Sequence, residues 1–255
     1  MVALSNELEG KVAIVTGSAR NIGRATAEEL AQAGAAVVIN AVQAKDLCED
    51  VAAGICAKGG RAIPVIADCR KPDDIEALAK AAIAEFGGVD ILVHNAATRN
   101  PKSFDNLTRA DFQEVIDLSI LGCFHLAQAT VPSMRARGGG AIIGVGGLNS
   151  YSGQKGRSHL MVAKAGLNMY IRSLSLDLAA DGITANQVVV GPYNTRDPDS
   201  PMTAEQIQAR IDRVPVKREG LPQDMADLIR FLVGPAGTFI TGQTIHSNGG
   251  AFMNA

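Results

Sequence analysis

Val12-Ala13-Ile14-Val15-Thr16-Gly17-Ser18-Ala19-Arg20-Asn21-Ile22-Gly23 is a short β-branched run that breaks at a glycine and opens into a segment of helical period. The run predicts a buried strand over Val12–Thr16, and the Ala-rich stretch behind it predicts a helix over Ile22–Gln32. At such a junction Gly17 allows a tight turn and Gly23 lets the helix pack closely on the strand. The amides at the helix start then offer donors and a positive dipole end to a pyrophosphate. Asn21 stands at a middle position where glycine is usual; asparagine tolerates left-handed backbone better than most residues, so the turn should survive. An ordinary Gly-containing turn carries the same letters, so the rest of the chain decides the reading.

Outward from this turn the same alternation repeats. Val12–Thr16, Ala36–Asn40, Ala62–Ala67, Val89–His94, Ala141–Val145, Thr184–Val190 and Gln243–Ser247 read as strands. Helical segments are expected over Ile22–Gln32, Lys45–Ala57, Pro72–Glu85, Thr108–Met134, Ser158–Ala180, Ala204–Arg213 and Pro222–Val233. That is the pattern of an α/β protein with a Rossmann fold, a seven-stranded parallel sheet covered by helices on both faces. The 255 residues, 47% of them hydrophobic, suit one domain over 1–255. Between Gly191 and Pro201 three prolines interrupt regular structure, and a substrate lid is expected around 191–215.

A net charge of -2 with no basic block argues against nucleic acid or an anionic membrane surface as partner. Cys48, Cys56, Cys69 and Cys123 have 7, 12 and 53 residues between them, which fits neither a metal or redox pair nor a disulfide scaffold. Reduced, mostly buried thiols and no metal are expected. The start of the chain shows no signal-peptide pattern and no stretch reads as a membrane span, so a cytoplasmic protein is expected.

Further segments follow in order, and with them the chain resembles the short-chain dehydrogenase/reductase family from about Leu8 to Ala251, in particular its 3-oxoacyl-acyl-carrier-protein-reductase-like members. Asp68, with Cys69 beside it, matches the family's acidic residue that bonds the adenine. His94-Asn95-Ala96-Ala97 resembles Asn-Asn-Ala-Gly, which lines the cofactor. Asn186 with Val190-Gly191-Pro192-Tyr193-Asn194-Thr195 resembles Asn…Pro-Gly-x-x-x-Thr, whose threonine holds the nicotinamide carboxamide. Thr241-Gly242-Gln243 and Asn248-Gly249-Gly250 resemble the closing Thr-Gly-Gln…Asp-Gly-Gly. The resemblance implies a nicotinamide cofactor held by Gly17, Ser18, Arg20, Asn21, Ile22, Gly23, Asn40, Asp68, Cys69, Asn95, Lys164 and Thr195. It also implies hydride transfer between a carbonyl and an alcohol. A homotetramer or homodimer is expected, built on the helices over Thr108–Met134 and Ser158–Ala180.

Cofactor choice is read at the end of the second strand, where an acidic residue would grip the ribose 2′-hydroxyl of NAD and repel a 2′-phosphate. Asn40, Ala41, Val42 and Gln43 stand there instead, and Arg20 in the phosphate loop is placed to meet a 2′-phosphate. NADP is therefore expected over NAD. The alternative is that Arg20 pairs with a carboxylate such as Glu28.

The catalytic positions depart from the family, which uses Tyr-x-x-x-Lys on the helix after strand five, a serine thirteen residues before that tyrosine, and an asparagine one helix earlier. Lys164 is the lysine. Leu160 falls at the tyrosine position, Gly147 at the serine position and Ser119 at the asparagine position. A lost general acid costs about 10²–10⁴ in rate and a lost oxyanion donor about 10²–10³. Replacement acids could be His159, Tyr151 or Tyr193, although each also reads as a packing residue. Histidine is a side chain suited to acid–base work at neutral pH, but position 159 sits about 100° round the helix from position 160. Lys155, Arg157 and Arg196 could rim the mouth and favour an anionic small-molecule substrate, or be solvated surface charge. Two functions stay open: an oxidoreductase with a remodelled acid–base group, and a catalytically silent NADP-binding sensor or oligomer partner.

Overall fold

The β-branched runs become seven strands: β1 (Val12–Val15), β2 (Ala36–Ala41), β3 (Arg61–Ile66), β4 (Ile91–His94), β5 (Gly140–Gly147), β6 (Ile183–Val190) and β7 (Thr244–Ser247). Every pairing is parallel and the order is β3-β2-β1-β4-β5-β6-β7. The computed structural model describes residues 6–195 and 202–253. Because the order reverses between β1 and β4, the chain leaves a crevice at the C-terminal ends of those strands, the place where a ligand meets such a sheet.

Nine α-helices are found among the described residues: α1 (Asn21–Gln32), α2 (Lys45–Ala57), α3 (Pro72–Phe86), α4 (Arg109–Ile116), α5 (Gly122–Ala136), α6 (Asn149–Ser152), α7 (Ser158–Leu178), α8 (Ala204–Asp212) and α9 (Pro222–Val233). They fill two cores because neighbouring residues of a strand face opposite ways. In β1, Ala13 and Val15 pack with α1, α2 and α9 through Leu30, Val51 and Ile229. Val12 and Ile14 pack with α3, α5 and α7 through Leu78, Leu126 and Leu167.

Three departures from expectation have physical causes. β4 begins at Ile91 because the Asp90 carboxylate accepts from the Val12 amide at 2.9 Å and pairs with Lys11 and Arg137. The helix expected over Thr108–Met134 is two helices joined by a π-helical turn, Asp117–Leu121. Gly122 follows that turn against the Cys69 carbonyl, where a Cβ would stand 2.7 Å from the oxygen. Contrary to the sequence reading, this run from Arg109 to Ala136 is long and apolar enough to cross a membrane by length and composition, yet half of its most apolar window is buried within the protein. Of the expected lid, Gly191–Thr195 and α8 are described; Arg196 lies outside the described residues. α8 starts in a capping box between Thr203 and Gln206, and its Arg210 reaches the Tyr193 carbonyl at 3.2 Å.

Candidate active site

The turn after β1 is locked to the end of β4. Thr16 Oγ1 accepts from the amides of Asn95 and Ala96, and Asn95 Nδ2 donates to the carbonyls of Thr16 at 2.9 Å and Gly17 at 3.0 Å. Gly17 has φ +63° and Asn21 has φ +50°, so the asparagine takes the left-handed backbone its chemistry allows. A Cβ on Gly23 would fall on the Gly17 carbonyl and 2.6 Å from Asn95 Nδ2. Helix α1 then starts with no side-chain cap, leaving its first-turn amides to an external acceptor. This cradle fits a dinucleotide pyrophosphate.

Three side chains expected at the cofactor are spent inside the protein. Ser18 Oγ donates to the Val15 carbonyl at 2.7 Å and accepts from the Asn40 amide. Asn40, 1% exposed, donates to the carbonyls of Val65 and Ala67, and its Oδ1 accepts from the Gly17 amide and the Cys69 thiol. Asn40 is thus a brace between the β1 turn, β2 and the end of β3. Cys69 is buried beside it, and desolvation pushes its thiol up to about 12. The Asp68 carboxylate is held by Arg70, whose hydrogen bonds lower its pKa against the opposing cost of burial, so an adenine amino group would share that carboxylate. Arg20 is exposed at the N-cap of α1 with no ion pair among the described residues, while Glu28 is taken by Arg24 at 2.8 Å. The alternative pairing of Arg20 with Glu28 is therefore not found.

At the other end of the crevice Lys164 donates its Nζ to the Val145 carbonyl at 2.8 Å. Burial, with the charge of Arg99 as a further cause, lowers its pKa to about 8. His94 lies buried near it, 3.4 Å from Thr16 Oγ1, and burial followed by the charge of Lys164 drops its pKa to about 3, so the ring is neutral. Ser119 is buried on the π-helical turn. Leu160 packs against Val115 and Ala163, and a Cβ on Gly147 would meet nothing within 4 Å. The two positions offer an apolar wall and an open space, and no proton donor.

Each of the three candidate acids meets protein partners. His159 is 2% exposed, donates Nε2 to the Asn100 carbonyl at 3.1 Å and lies edge-on to Phe112. The Tyr151 hydroxyl is held one helical turn beyond Lys164, by Asn168 at 2.9 Å and Gln187 at 3.1 Å, in a cluster that includes Thr244. Gly146 makes room for Gln187, whose amide a Cβ there would approach to 2.8 Å. Tyr193 is buried and its hydroxyl meets Ser247 Oγ. Burial raises both phenols above the ordinary tyrosine range, which makes each a weaker acid. Lys155 is exposed and Arg157 half-buried on the loop before α7.

Sequence reasoning passed over Arg99, which donates to the Thr195 carbonyl at 3.0 Å and to Thr195 Oγ1 at 3.2 Å. Its only signal is a basic residue four positions after Asn95, on a loop whose course the sequence does not specify.

A family model described as Enoyl-(Acyl carrier protein) reductase matches residues 17–251. The chain is 33% identical over 243 residues to a 3-oxoacyl-[acyl-carrier-protein] reductase of Staphylococcus epidermidis, covering 95% of this chain and 99% of that one. A reductase of the same name from a Synechocystis species is 35% identical over 247 residues, covering 96% and 98%. Among solved structures, a 7α-hydroxysteroid dehydrogenase complexed with NADH and 7-oxo glycochenodeoxycholic acid superposes with a TM-score of 0.91 at 32% identity, covering 98% of this chain and 97% of that one. A blue fluorescent protein from a metagenomic library, in complex with NADPH, gives 0.89 at 32% identity, covering 97% and 100%.

Proposed function

The chain is a member of the short-chain dehydrogenase/reductase family, and we propose that it is an NADP-preferring oxidoreductase in which Lys164 alone keeps the family's proton-handling position. An NAD(P)-dependent oxidoreductase is what family and fold support. When bound, the nicotinamide supplies or accepts hydride at a carbonyl carbon. The observation that carries the reading is the continuous cradle, from uncapped α1 through Asn95 to Lys164 and Thr195. Preference for NADP is supported by exposed Arg20 and by the absence of a carboxylate at Asn40 to Gln43. A small substrate carrying negative charge is supported by the cations Lys155 and Arg157 on the loop before α7 and by the Lys164 ammonium.

Lys164 would hold the nicotinamide ribose through its ammonium. Its lowered pKa fixes the sign of the pH effect. Below about 8 the donor is charged; above it the neutral amine binds ribose less well, so affinity falls there and not near the ordinary lysine value of 10.5. Fold stability runs the other way, because between those values the unfolded chain binds more protons and stability rises with pH. Titrating NADPH between about pH 7 and about pH 9.5 should show a loss of affinity centred near pH 8 in the wild type and a flat profile in Lys164→Met. A flat wild-type profile would contradict the role given to Lys164.

We also infer self-association through α7. Val162, Met169 and Leu176 lie two turns apart along one face and are 52%, 59% and 82% exposed. A second copy of the chain covering that stripe makes a dimer, and a second such contact makes a tetramer. Light scattering should report an oligomer that Met169→Glu with Leu176→Glu dissociates; a monomeric wild type at micromolar concentration would count against it.

A further inference from the structure

We propose that Arg99 is a positioning residue for the cofactor: it holds Thr195 so that the threonine hydroxyl turns its single hydrogen toward the carbonyl oxygen of the nicotinamide carboxamide. This rests on the oxidoreductase reading above and adds to it a device that recognises the nicotinamide ring. The group selected is a hydrogen-bond acceptor on that ring.

Arg99 donates one guanidinium nitrogen to the Thr195 carbonyl at 3.0 Å and another to Thr195 Oγ1 at 3.2 Å. A guanidinium has donors and no acceptor, whereas a threonine hydroxyl has one hydrogen and two lone pairs. Oγ1 is therefore the acceptor in this contact, and its own hydrogen is still to be given. Thr195 is buried, its amide is taken by the Tyr193 carbonyl at 2.9 Å, and among the described residues no group accepts the hydroxyl hydrogen. A buried donor without an acceptor is costly, so a ligand oxygen placed there gains from meeting it.

The brace is itself held in place. Next to Arg99, the Asn100 carbonyl accepts from His159 Nε2 at 3.1 Å, and the Lys102 amide donates to the Gly156 carbonyl at 2.8 Å. The Lys102 ammonium is in turn paired with Asp111 in the first turn of α4. Arg99 also holds a further interaction besides its two with Thr195. Its guanidinium is thus engaged within the protein, and what it presents to a ligand is the threonine it orients. The loop after β4 is tied down before the cofactor arrives, which lowers the cost of ordering it on binding. Buried His159 gains a job that needs no proton transfer, as a second positioning residue one step behind Arg99.

Arg99 also acts on this end of the crevice by a second route, since its charge adds to burial in lowering the pKa of Lys164 to about 8. The two routes reach different parts of the cofactor: Lys164 would serve the ribose, Thr195 the carboxamide. They also separate by pH. At about pH 7 the lysine is protonated with or without its cationic neighbour, because losing that neighbour moves its pKa further up. An effect carried by Thr195 persists at that pH.

The test is calorimetric titration at that pH with NADPH and with 2′-phospho-ADP-ribose, which keeps both phosphate groups and both riboses but lacks the nicotinamide ring. Arg99→Met should weaken NADPH about three- to tenfold, the worth of one hydrogen bond, and leave 2′-phospho-ADP-ribose within about twofold of the wild type. Thr195→Val should do the same, and the double variant should bind NADPH no more weakly than the weaker single variant, because both changes remove one bond. Arg99→Lys should keep part of the affinity, since charge and a donor remain while the fork is lost. Equal weakening of both compounds by Arg99→Met would overturn the proposal, for that is what a misplaced loop or a lost charge does. Full NADPH affinity in Arg99→Met would overturn it too, as would losses in the two single variants that add in the double. A wild type that binds neither compound would instead remove the dinucleotide reading of the cradle, so the two failures are told apart.

Discussion

Leu160→Tyr combined with Gly147→Ser should raise NADPH-dependent reduction of neutral 3-oxoacyl esters by about 10²–10⁴-fold over a very slow wild type. Hydride delivery builds negative charge on the carbonyl oxygen, and the rate depends on groups that meet that charge in the transition state. Position 160 lies one helical turn before Lys164, so a phenol there would share a helix face with the ammonium. At position 147 a Cβ finds open space, so a serine hydroxyl can be added without displacing a neighbour. The single variants should each recover little, because groups that act on one oxygen as a unit are strongly non-additive. NADPH oxidation followed by absorbance reads the result. Fast ester reduction by the unaltered protein would show that another donor already serves.

The fold was legible because its signals are local and repeated. β-branched runs, helical periods between them and the glycine turn at Thr16–Gly23 specify the parallel sheet before any tertiary contact is known. The left-handed backbone at Asn21 was legible for the same reason, since it follows from the residue's own chemistry and its place in the turn. What escaped depends on where side chains are aimed by distant segments. Asn40 stands at the end of β2, where a ribose contact is expected, but its side-chain amide donates to the carbonyls of Val65 and Ala67 on the neighbouring strand end. Tyr151 borders the crevice in sequence, yet the space left by Gly146 admits Gln187, which with Asn168 captures the phenol. His159 escaped because its partner is a carbonyl on a loop 59 residues earlier. The π-helical turn at Asp117–Leu121 leaves apolar periodicity on either side almost undisturbed, so a single helix was expected where two exist.

Gly23→Val should abolish dinucleotide binding while the fold persists at reduced stability. The first atom of the new side chain would lie on the Gly17 carbonyl and against Asn95 Nδ2, the two groups that set the loop's shape. Relieving that overlap moves α1 away from the β1 turn and takes its first-turn amides out of register with a pyrophosphate. Overpacking of this kind costs about 1–3 kcal/mol, which a domain of this size tolerates, whereas misplaced donors lose most of their binding energy. Circular dichroism and thermal unfolding separate a folded, non-binding variant from one that has collapsed.

The central claim is that the cradle from Gly17 to Thr195 holds a nicotinamide dinucleotide, and calorimetric titration of the wild-type protein with NADPH and with NADH tests it most directly. The account predicts one site per chain with NADPH bound at micromolar Kd or tighter, about -8 kcal/mol or more favourable, and more weakly bound NADH. No binding of either dinucleotide by the folded wild-type protein would contradict it.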